Sequence, residues 1–532
     1  MCSLPEDEIL HVINKASEVG CCIRCGLCYL DLFKMNIAMY SKNEKELVET
    51  LLPNHHQQVC LLSSSRCKIC FGAFQDEYLH GRLPNEMEKV YHEYDIEYLS
   101  EFHVSLTFSN HFHIREHCFK YLLAKHVESE QVKKILQSSQ PPLDRKRLLK
   151  TTLSDIFEKS MKAKGHELKA NPQTAPLMIE VKFNDDVIMN ANSKEEVVEE
   201  NLSPLKKKRK KNKIDRRENS NLQSVLRLKS LEELDTIIQS EIPAEWNNDL
   251  SDFSSETSVK LDEKFIKVSG THSVIYISGY YRKLERGLPQ SPWVMRGSKE
   301  DEQNTRSVDT YIGGPFMEYT KADSYKFDSS GREDKNVRML GNGRPFVFAI
   351  HNPRRSHFTL EQVKEIENTI NQRANGSIEV HTIQVHFNNL VCQKMKEGAE
   401  EKRKNYRCVV WCEAALTSDT DPSLKEKVTN YLESIKDLDI GQKTPLRVLH
   451  RRALHTRKKI IHSIKCTEFI NSHAMVLDLC TSAGTYVKEF IHGDFGRTEP
   501  SFGTLLAKLF ERSLPFDSQI LQLDVMEIEI SL

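Results

Sequence analysis

The sequence predicts an α+β protein of at least two domains, and three observations carry that expectation. Its 532 residues exceed the roughly 250–300 that one hydrophobic core organises. In "HVSLTF" Val104, Leu106 and Phe108 alternate with polar residues as in a strand, and in "IREHCFKYLLAKH" Ile114, Cys118, Leu122 and Leu123 then recur at helical spacing. The same mixture of short strands and helices returns through the C-terminal half.

Composition narrows the function classes. Lys+Arg total 75 against 76 for Asp+Glu, so there is no global polyelectrolyte character, and a nucleic-acid surface has to be a local patch. The opening "MCSLPEDEILHV" carries acids where a signal peptide needs bases and an apolar run, and no apolar stretch approaches the ~18 residues of a membrane span. A soluble intracellular protein with no membrane partner is expected.

The first region, 1–98, is defined by cysteine. Eight of the 14 cysteines fall in the first 70 residues, and without an export signal such clustering argues for metal rather than disulfides. Cys22-x-x-Cys25 and Cys67-x-x-Cys70 are two knuckles whose four thiolates suit tetrahedral, structural zinc. The 41 residues between them leave room for a helical excursion, "NEKELVETLL". Cys21 doubles the first knuckle, Cys25-x-x-Cys28 offers another pairing, and His55 or His56 could substitute.

The second region, 99–260, begins with the strand and helix above. From Asn184 the chain turns polar and then basic, and nine of the twelve residues from Lys206 to Arg217 are Lys or Arg. Like charges at that density repel, so about 186–222 reads as a disordered insertion. It serves either as a nuclear-import signal recognised by an import receptor, as a flexible RNA-binding arm, or as a solvated linker.

The third region, 261–532, alternates element types. "HSVIYISGYYRK" predicts a strand from Ser273 to Ser278 that ends at Gly279. "FDSSGREDKNVRMLGNGRPF", Phe327 to Phe346, crowds polar residues around three glycines and reads as one irregular loop. "TLEQVKEIENTI" predicts a helix with a Thr359/Gln362 capping box and Val363, Ile366 and Ile370 on its buried face. "SIEVHTIQVHF" alternates as a strand, and "VMEIEISL" puts Met526, Ile528 and Ile530 on one strand face. No repeat at solenoid spacing interrupts this order.

Chemistry has to come from ordinary side chains. "GNGR" at Gly341 to Arg344 lacks the rest of a P-loop or dinucleotide pattern, and there is no HExxH; no organic cofactor is expected. Three segments offer reactive groups: the loop with Arg332 and Asp334, "EKRKNYRCVVW" where Tyr406 opens an apolar strand, and "TSAGTYVKEFIHGDFGRTEPSFGTL" with Lys488. "TPLRVLHRRALHTRKK" adds a dense basic stretch. Bases interleaved with aromatic residues suit looped RNA, one for the phosphates and the other for stacked bases. Taken singly, each segment reads as solvated surface or structural element.

Taken together, "SSGREDxxVRxLGNGRPF", "KNYR", "TPLRVLHRR" and "AGTYVKEFIHGDFGRTxPSxGTL" resemble the tRNA pseudouridine synthase ten family of archaea and eukaryotes. The paired CxxC knuckles, "IREHCFKYLLAKH" and "GYYRKLERGLPQSPW" resemble its THUMP-containing accessory region and the join to its catalytic domain. The resemblance implies a zinc-binding, THUMP-containing N-terminal module that grips tRNA. It also implies a C-terminal pseudouridine synthase fold around a central mixed or antiparallel sheet. Asp334 matches the family's nucleophile, attacking a flipped uridine in the T-arm loop of tRNA at ribose C1′ or base C6, after which uracil rotates and rejoins through C5. Lys488 matches the basic partner, Arg332 the arginine beside the nucleophile, and Tyr406 the tyrosine that stacks on the base. Arg447, His450, Arg451 and Arg452 are candidates for RNA contacts, and Cys22, Cys25, Cys67 and Cys70 for the zinc ligands. A monomer in nucleus and cytoplasm is expected. Lys335-Asn336 depart from relatives that often carry an acid there, which bears on the packing of the loop and not on Asp334.

Two rivals belong to other classes. A non-catalytic RNA-binding scaffold would keep the fold and leave Asp334, Arg332, Tyr406 and Lys488 unexplained. A carboxylate-dependent hydrolase would need a second acid beside Asp334, and Glu333 is the one adjacent in sequence.

Overall fold

The computed structural model describes residues 4–18, 20–30, 37–60, 67, 69–70, 72–108, 112, 116, 119–120, 123–124, 127–137, 145–183, 266–292, 306–401, 403–450 and 452–528. The Lys206–Arg217 run, the 186–222 insertion and Arg451 lie outside them. The chain divides into two units, Met1–His272 and Ser273–Leu532. Among the described residues no helix is long and apolar enough to cross a membrane.

The first unit holds a four-stranded sheet of β1 (Glu101–Thr107), β2 (Lys169–Ala170), β3 (Leu177–Phe183) and β4 (Ile266–His272), in the order β2-β1-β3-β4. β1 alternates as its sequence demands, with Phe102, Val104 and Leu106 inward. The helix Arg145–Ala163 buries Leu149, Leu153 and Phe157, and Phe157 meets Phe102 edge-on at 5.2 Å. In the stretch expected to be helical after β1, the described residues 116, 119–120 and 123–124 are helical. The excursion between the knuckles contains the helix Glu44–Leu51, capped where Asn43 accepts from the Glu46 amide at 2.9 Å. β4 belongs to this unit although the sequence reading starts the catalytic region at 261, because it pairs antiparallel with β3 along its whole length.

The second unit is built on a ten-stranded mixed sheet. Its strands are β5 (Ile275–Lys283), β6 (Ser324–Ser329), β7 (Arg338–His351), β8 (Ile378–His386), β9 (Lys404–Cys412), β10 (Lys436–Lys443), β11 (Thr456–Asn471), β12 (Ala474–Thr481), β13 (Thr498–Glu499) and β14 (Ser518–Ile528). The order is β13-β10-β11-β12-β9-β14-β7-β5-β8, with β6 on β7. β14 runs parallel to β7 and antiparallel to β9. One core gathers Val410, Leu477, Phe490 and Leu506, and another Ile277, Phe316, Phe348 and Ile370.

Two expectations are corrected here. β5 does not end at Gly279 but continues to Lys283. A Cβ at Gly279 would come within 2.9 Å of the Phe346 ring, so this glycine marks a close approach by β7 rather than a turn. The segment Phe327 to Phe346 is not one loop, since β6 ends at Ser329 and β7 begins at Arg338. Gly341 lies inside β7 with φ +56, where a Cβ would sit 1.9 Å from the Met526 carbonyl oxygen. The irregular part is the eight residues 330–337. The helix Leu360–Ala374 carries the expected Thr359/Gln362 capping box and buries Ile366 and Ile370.

Candidate active site

The 330–337 loop is short and polar, and side chains from the sheet hold its backbone. The buried Lys283, at the end of β5, donates to the carbonyls of Leu288 at 2.9 Å and of Asp334 and Lys335 at 3.1 Å each. Arg344 on β7 donates to the Ser330 carbonyl at 2.8 Å, and Gln290 to that of Gly331 at 3.2 Å. Glu333 points into the protein, where Arg344 Nε lies 2.7 Å away and the Tyr281 hydroxyl donates to it at 2.9 Å. Both its oxygens are engaged by that pair, so the second free carboxylate that a hydrolase needs is not supplied by Glu333.

Asp334 is thereby aimed the other way, half-buried at a cleft of about 1500 Å³. Lys488 Nζ, on the helix Val487–His492, is 3.0 Å from Oδ2, and Arg447 Nη1 is 3.2 Å from Oδ1. Arg447 is aligned in turn by the buried Glu489, whose Oε1 is 2.7 Å from Arg447 Nε. Burial pushes the Asp334 carboxyl up, but the Arg447 charge and the Lys488 hydrogen bond outweigh it and hold the group below its ordinary value. The site contains an ionised carboxylate with a cation on each oxygen.

Tyr406, from β9, lines the same cleft. Burial raises its pKa against the opposing Arg344 charge, so the phenol stays protonated near neutral pH. Lys404, two residues earlier, is pushed down to about 8 by burial and by Arg344, and burial does the same to Lys283, also to about 8. Among the described residues the cleft is lined by nine Lys or Arg against two acids, Glu333 and Asp334. In a chain whose charges otherwise cancel, that is the local patch a polyanion requires.

Of the residues singled out in the sequence, Asp334, Tyr406, Lys488, Arg332, Arg447, His450 and Arg452 all line this cleft. Arg332 is exposed and forms no ion pair among the described residues. The guanidinium that meets Asp334 belongs to Arg447, which the sequence reading places only on RNA. Lys283, Gln290, Arg344, Lys404 and Glu489 were missed, although they stand inside or beside the quoted motifs.

In the first unit Cys22, Cys25, Cys67 and Cys70 are buried with their sulfurs all within 4.8 Å of one another, so they could hold a structural metal. Cys22 Sγ and Cys70 Sγ are 3.8 Å apart, the edge of a tetrahedron with bonds of about 2.3 Å. Of the competing donors, Cys28 Sγ meets the Tyr40 hydroxyl at 3.0 Å, His55 pairs with Asp7 at 3.3 Å and His56 Nδ1 meets the Pro53 carbonyl at 3.0 Å, whereas the buried Cys21 thiol lies against Cys25 and Cys67 and remains an alternative ligand. Arg24, fully buried within the first knuckle, donates to the Phe74 carbonyl at 2.6 Å and to Asp76 at 2.7 Å, which ties that knuckle to the chain beyond the second.

Comparison with known proteins gives a consistent picture. Residues 276–529 match the family model described as "Pus10, C-terminal". The chain is 42% identical over 265 residues to "tRNA pseudouridine synthase Pus10" of Mus musculus, covering 50% of this chain and 46% of that protein. The Homo sapiens protein of the same name is 41% identical with the same coverage. That of Methanopyrus kandleri is 38% identical over 262 residues, 48% of this chain and 56% of its own. The chain spans about half the length of the curated relatives it matches. A solved Cbf5-Nop10-Gar1 complex aligns over 45% of this chain and 57% of its own at 12% identity, with a TM-score of 0.22, too slight a likeness to argue from. The matching family model and the relatives' printed name are those of the family that the motifs resemble.

Proposed function

We propose that this chain is a tRNA pseudouridine synthase that isomerises uridine in the T-arm loop of tRNA, with Asp334 as nucleophile. The observation that carries the reading is the Asp334 carboxylate, held between Lys488 and Arg447 in a cleft lined with bases. Relatives named for this activity, and the match of residues 276–529, support it.

The reaction redistributes bonds without consuming anything. The target uridine leaves its stack and enters the cleft, at a cost of roughly a few kcal/mol that phosphate contacts and stacking offset. The Asp334 carboxylate adds to ribose C1′ or to C6 of the base, the N1–C1′ bond breaks, and the uracil turns. A C5–C1′ bond forms, the Asp334 oxygen's bond to C1′ or C6 breaks and restores the carboxylate, the C5 proton is lost to solvent, and N1 takes up a proton. Lys488 and Arg447 keep the carboxylate ionised beforehand and stabilise it when it leaves. Tyr406 lies under the base and moves a proton. Arg332, His450, Arg451 and Arg452 hold neighbouring phosphates.

The N-terminal unit, on this reading, is a THUMP-containing module that grips tRNA. Its four-stranded sheet with a packed helix is compatible with that role. The metal at Cys22, Cys25, Cys67 and Cys70 is zinc, because four buried thiolates at tetrahedral spacing suit it. The enzyme works as a monomer in nucleus and cytoplasm, with Lys206–Arg217 as its import signal. A scaffold reading is disfavoured because mere RNA binding does not need a carboxylate clamped by two cations.

The decisive test is tritium release from C5-labelled uridine in an unmodified tRNA transcript. Wild type should release tritium and Asp334→Ala should be slower by about 10⁴-fold or more while still binding the transcript. Tight binding without release by wild type would sink the enzyme assignment for this substrate.

A further inference from the structure

One turn in the second unit holds an aromatic ring in water by an unusual backbone route. The helix Val487–His492 stops at Gly493 with φ +75, and Asp494, Phe495 and Gly496 follow with φ +47, +55 and +76. Glycine takes this region freely, but a phenylalanine there crowds its Cβ against its own backbone. The Phe495 side chain is 93% exposed, the most exposed large apolar residue among those described. A single exposed apolar residue is ordinary. One carried on four consecutive left-handed residues is not, because such backbone persists only where its surroundings dictate it.

The surroundings here are explicit. The buried Asp494 carboxylate accepts from the Leu446 amide at 3.4 Å and faces Arg497 Nε at 3.4 Å. Arg497 donates onward to the Thr444 carbonyl at 2.6 Å, and its own amide closes the turn on the Gly493 carbonyl at 3.1 Å. The turn is therefore fastened to residues 444–446, and the next residue is Arg447, which touches Asp334. Lys488 begins the same helix, roughly 8 Å along its axis from Gly493 at 1.5 Å per residue. The backbone that carries the ring is thus fixed to the segment leading into Arg447, with Leu446 half-exposed at the anchor.

We propose that Phe495 is a stacking platform for an unpaired base of the RNA strand whose uridine occupies the cleft. The inference rests on the function proposed above and adds a binding position to it. An aromatic face on a turn fastened to the segment that leads into Arg447 matches the way unpaired bases are held, with cations on the phosphates and a ring on the base. A protein partner would call for a contiguous apolar patch, and within residues 491–500 Phe495 is the one exposed large apolar side chain.

The test compares wild type with Phe495→Ala, Phe495→Leu and Phe495→Trp, reading both Kd for an unmodified tRNA transcript and tritium release. Alanine and leucine should weaken binding by about 5- to 100-fold, tryptophan should bind like wild type, and the added tryptophan emission should be quenched by RNA. Thermal midpoints should match throughout, since the side chain is in water. Alanine binding as tightly as wild type overturns the proposal, and so does leucine binding as tightly, because apolar contact would then suffice without stacking. The wild-type control separates the two readings: release by wild type with no Phe495 effect removes only the platform, whereas no binding or release by wild type removes both.

Discussion

Arginine is used differently in the two units. In the first, Arg24 and Arg145 are buried and absorbed by the fold: Arg24 ties backbone and Asp76 together, and Arg145 pairs with Glu116, donates to the Cys25 carbonyl at 3.1 Å and lies 4.2 Å over the Tyr29 ring. In the second, Arg344 is absorbed in the same way by Glu333 and Ser330, but Arg447 and Lys488 are left partly open to a cleft. A cation sealed from solvent contributes to architecture. One held in place yet still facing open space is available to a ligand.

The largest effect that would sharpen this contrast lies in the first unit. Cys67→Ser should remove bound zinc, measured as metal content per chain, and with it metal-linked stability on the order of 10 kcal/mol. Proteolysis should then begin within the first unit while tritium release per bound RNA persists; equal loss of both would break the division of labour. Next comes Glu333→Leu, which strands a buried Arg344 and should cost about 3–5 kcal/mol in a denaturant titration. A neutral result would mean that Arg344 is not absorbed after all.

Lys488→Met should act on chemistry and on its pH profile. In the proposed reaction attack requires the carboxylate, so turnover should fall as pH drops through the Asp334 pKa, which in wild type is held below the ordinary value of about 4. Without Lys488, burial is opposed by Arg447 alone, and the acid limb should move upward; an unmoved limb would remove Lys488 from the clamp. The smallest effect should come from Lys404→Arg. Lys404 is pushed down to about 8, so it is charged below that pH and neutral above it. Wild-type RNA affinity should decline by a few-fold from pH 7 to 9, at about one charge's worth, and the arginine variant should flatten the decline.

Local pattern made the individual elements legible. Alternation located β1 and β8, and the capping box located the start of the helix Leu360–Ala374. The motifs also identified Asp334, Tyr406 and Lys488, which converge on one cleft. What stayed hidden depends on distance along the chain. Arg447 and Asp334 are 113 residues apart, and nothing in either motif says that the sheet order brings them together. Lys283 reads as one more surface lysine until β5 is seen to continue through Gly279 and carry it beneath the loop. Glycine misled there because it serves both turns and close contacts, and only the neighbouring strand tells which.

The place of β14 has a consequence for how the protein is made. Although it is the last strand of its sheet in sequence, it lies between β9 and β7 and joins the two halves. On a ribosome, β5 to β13 emerge first and leave two unpaired strand edges waiting for residues 518–528. Such edges invite pairing with other chains, and closing them last requires contacts of long sequence separation, which form slowly. A premature stop shortly before β14 would therefore cost far more than the strand itself: it would leave two half-sheets with open seams, a product for chaperones and proteases rather than a shortened protein.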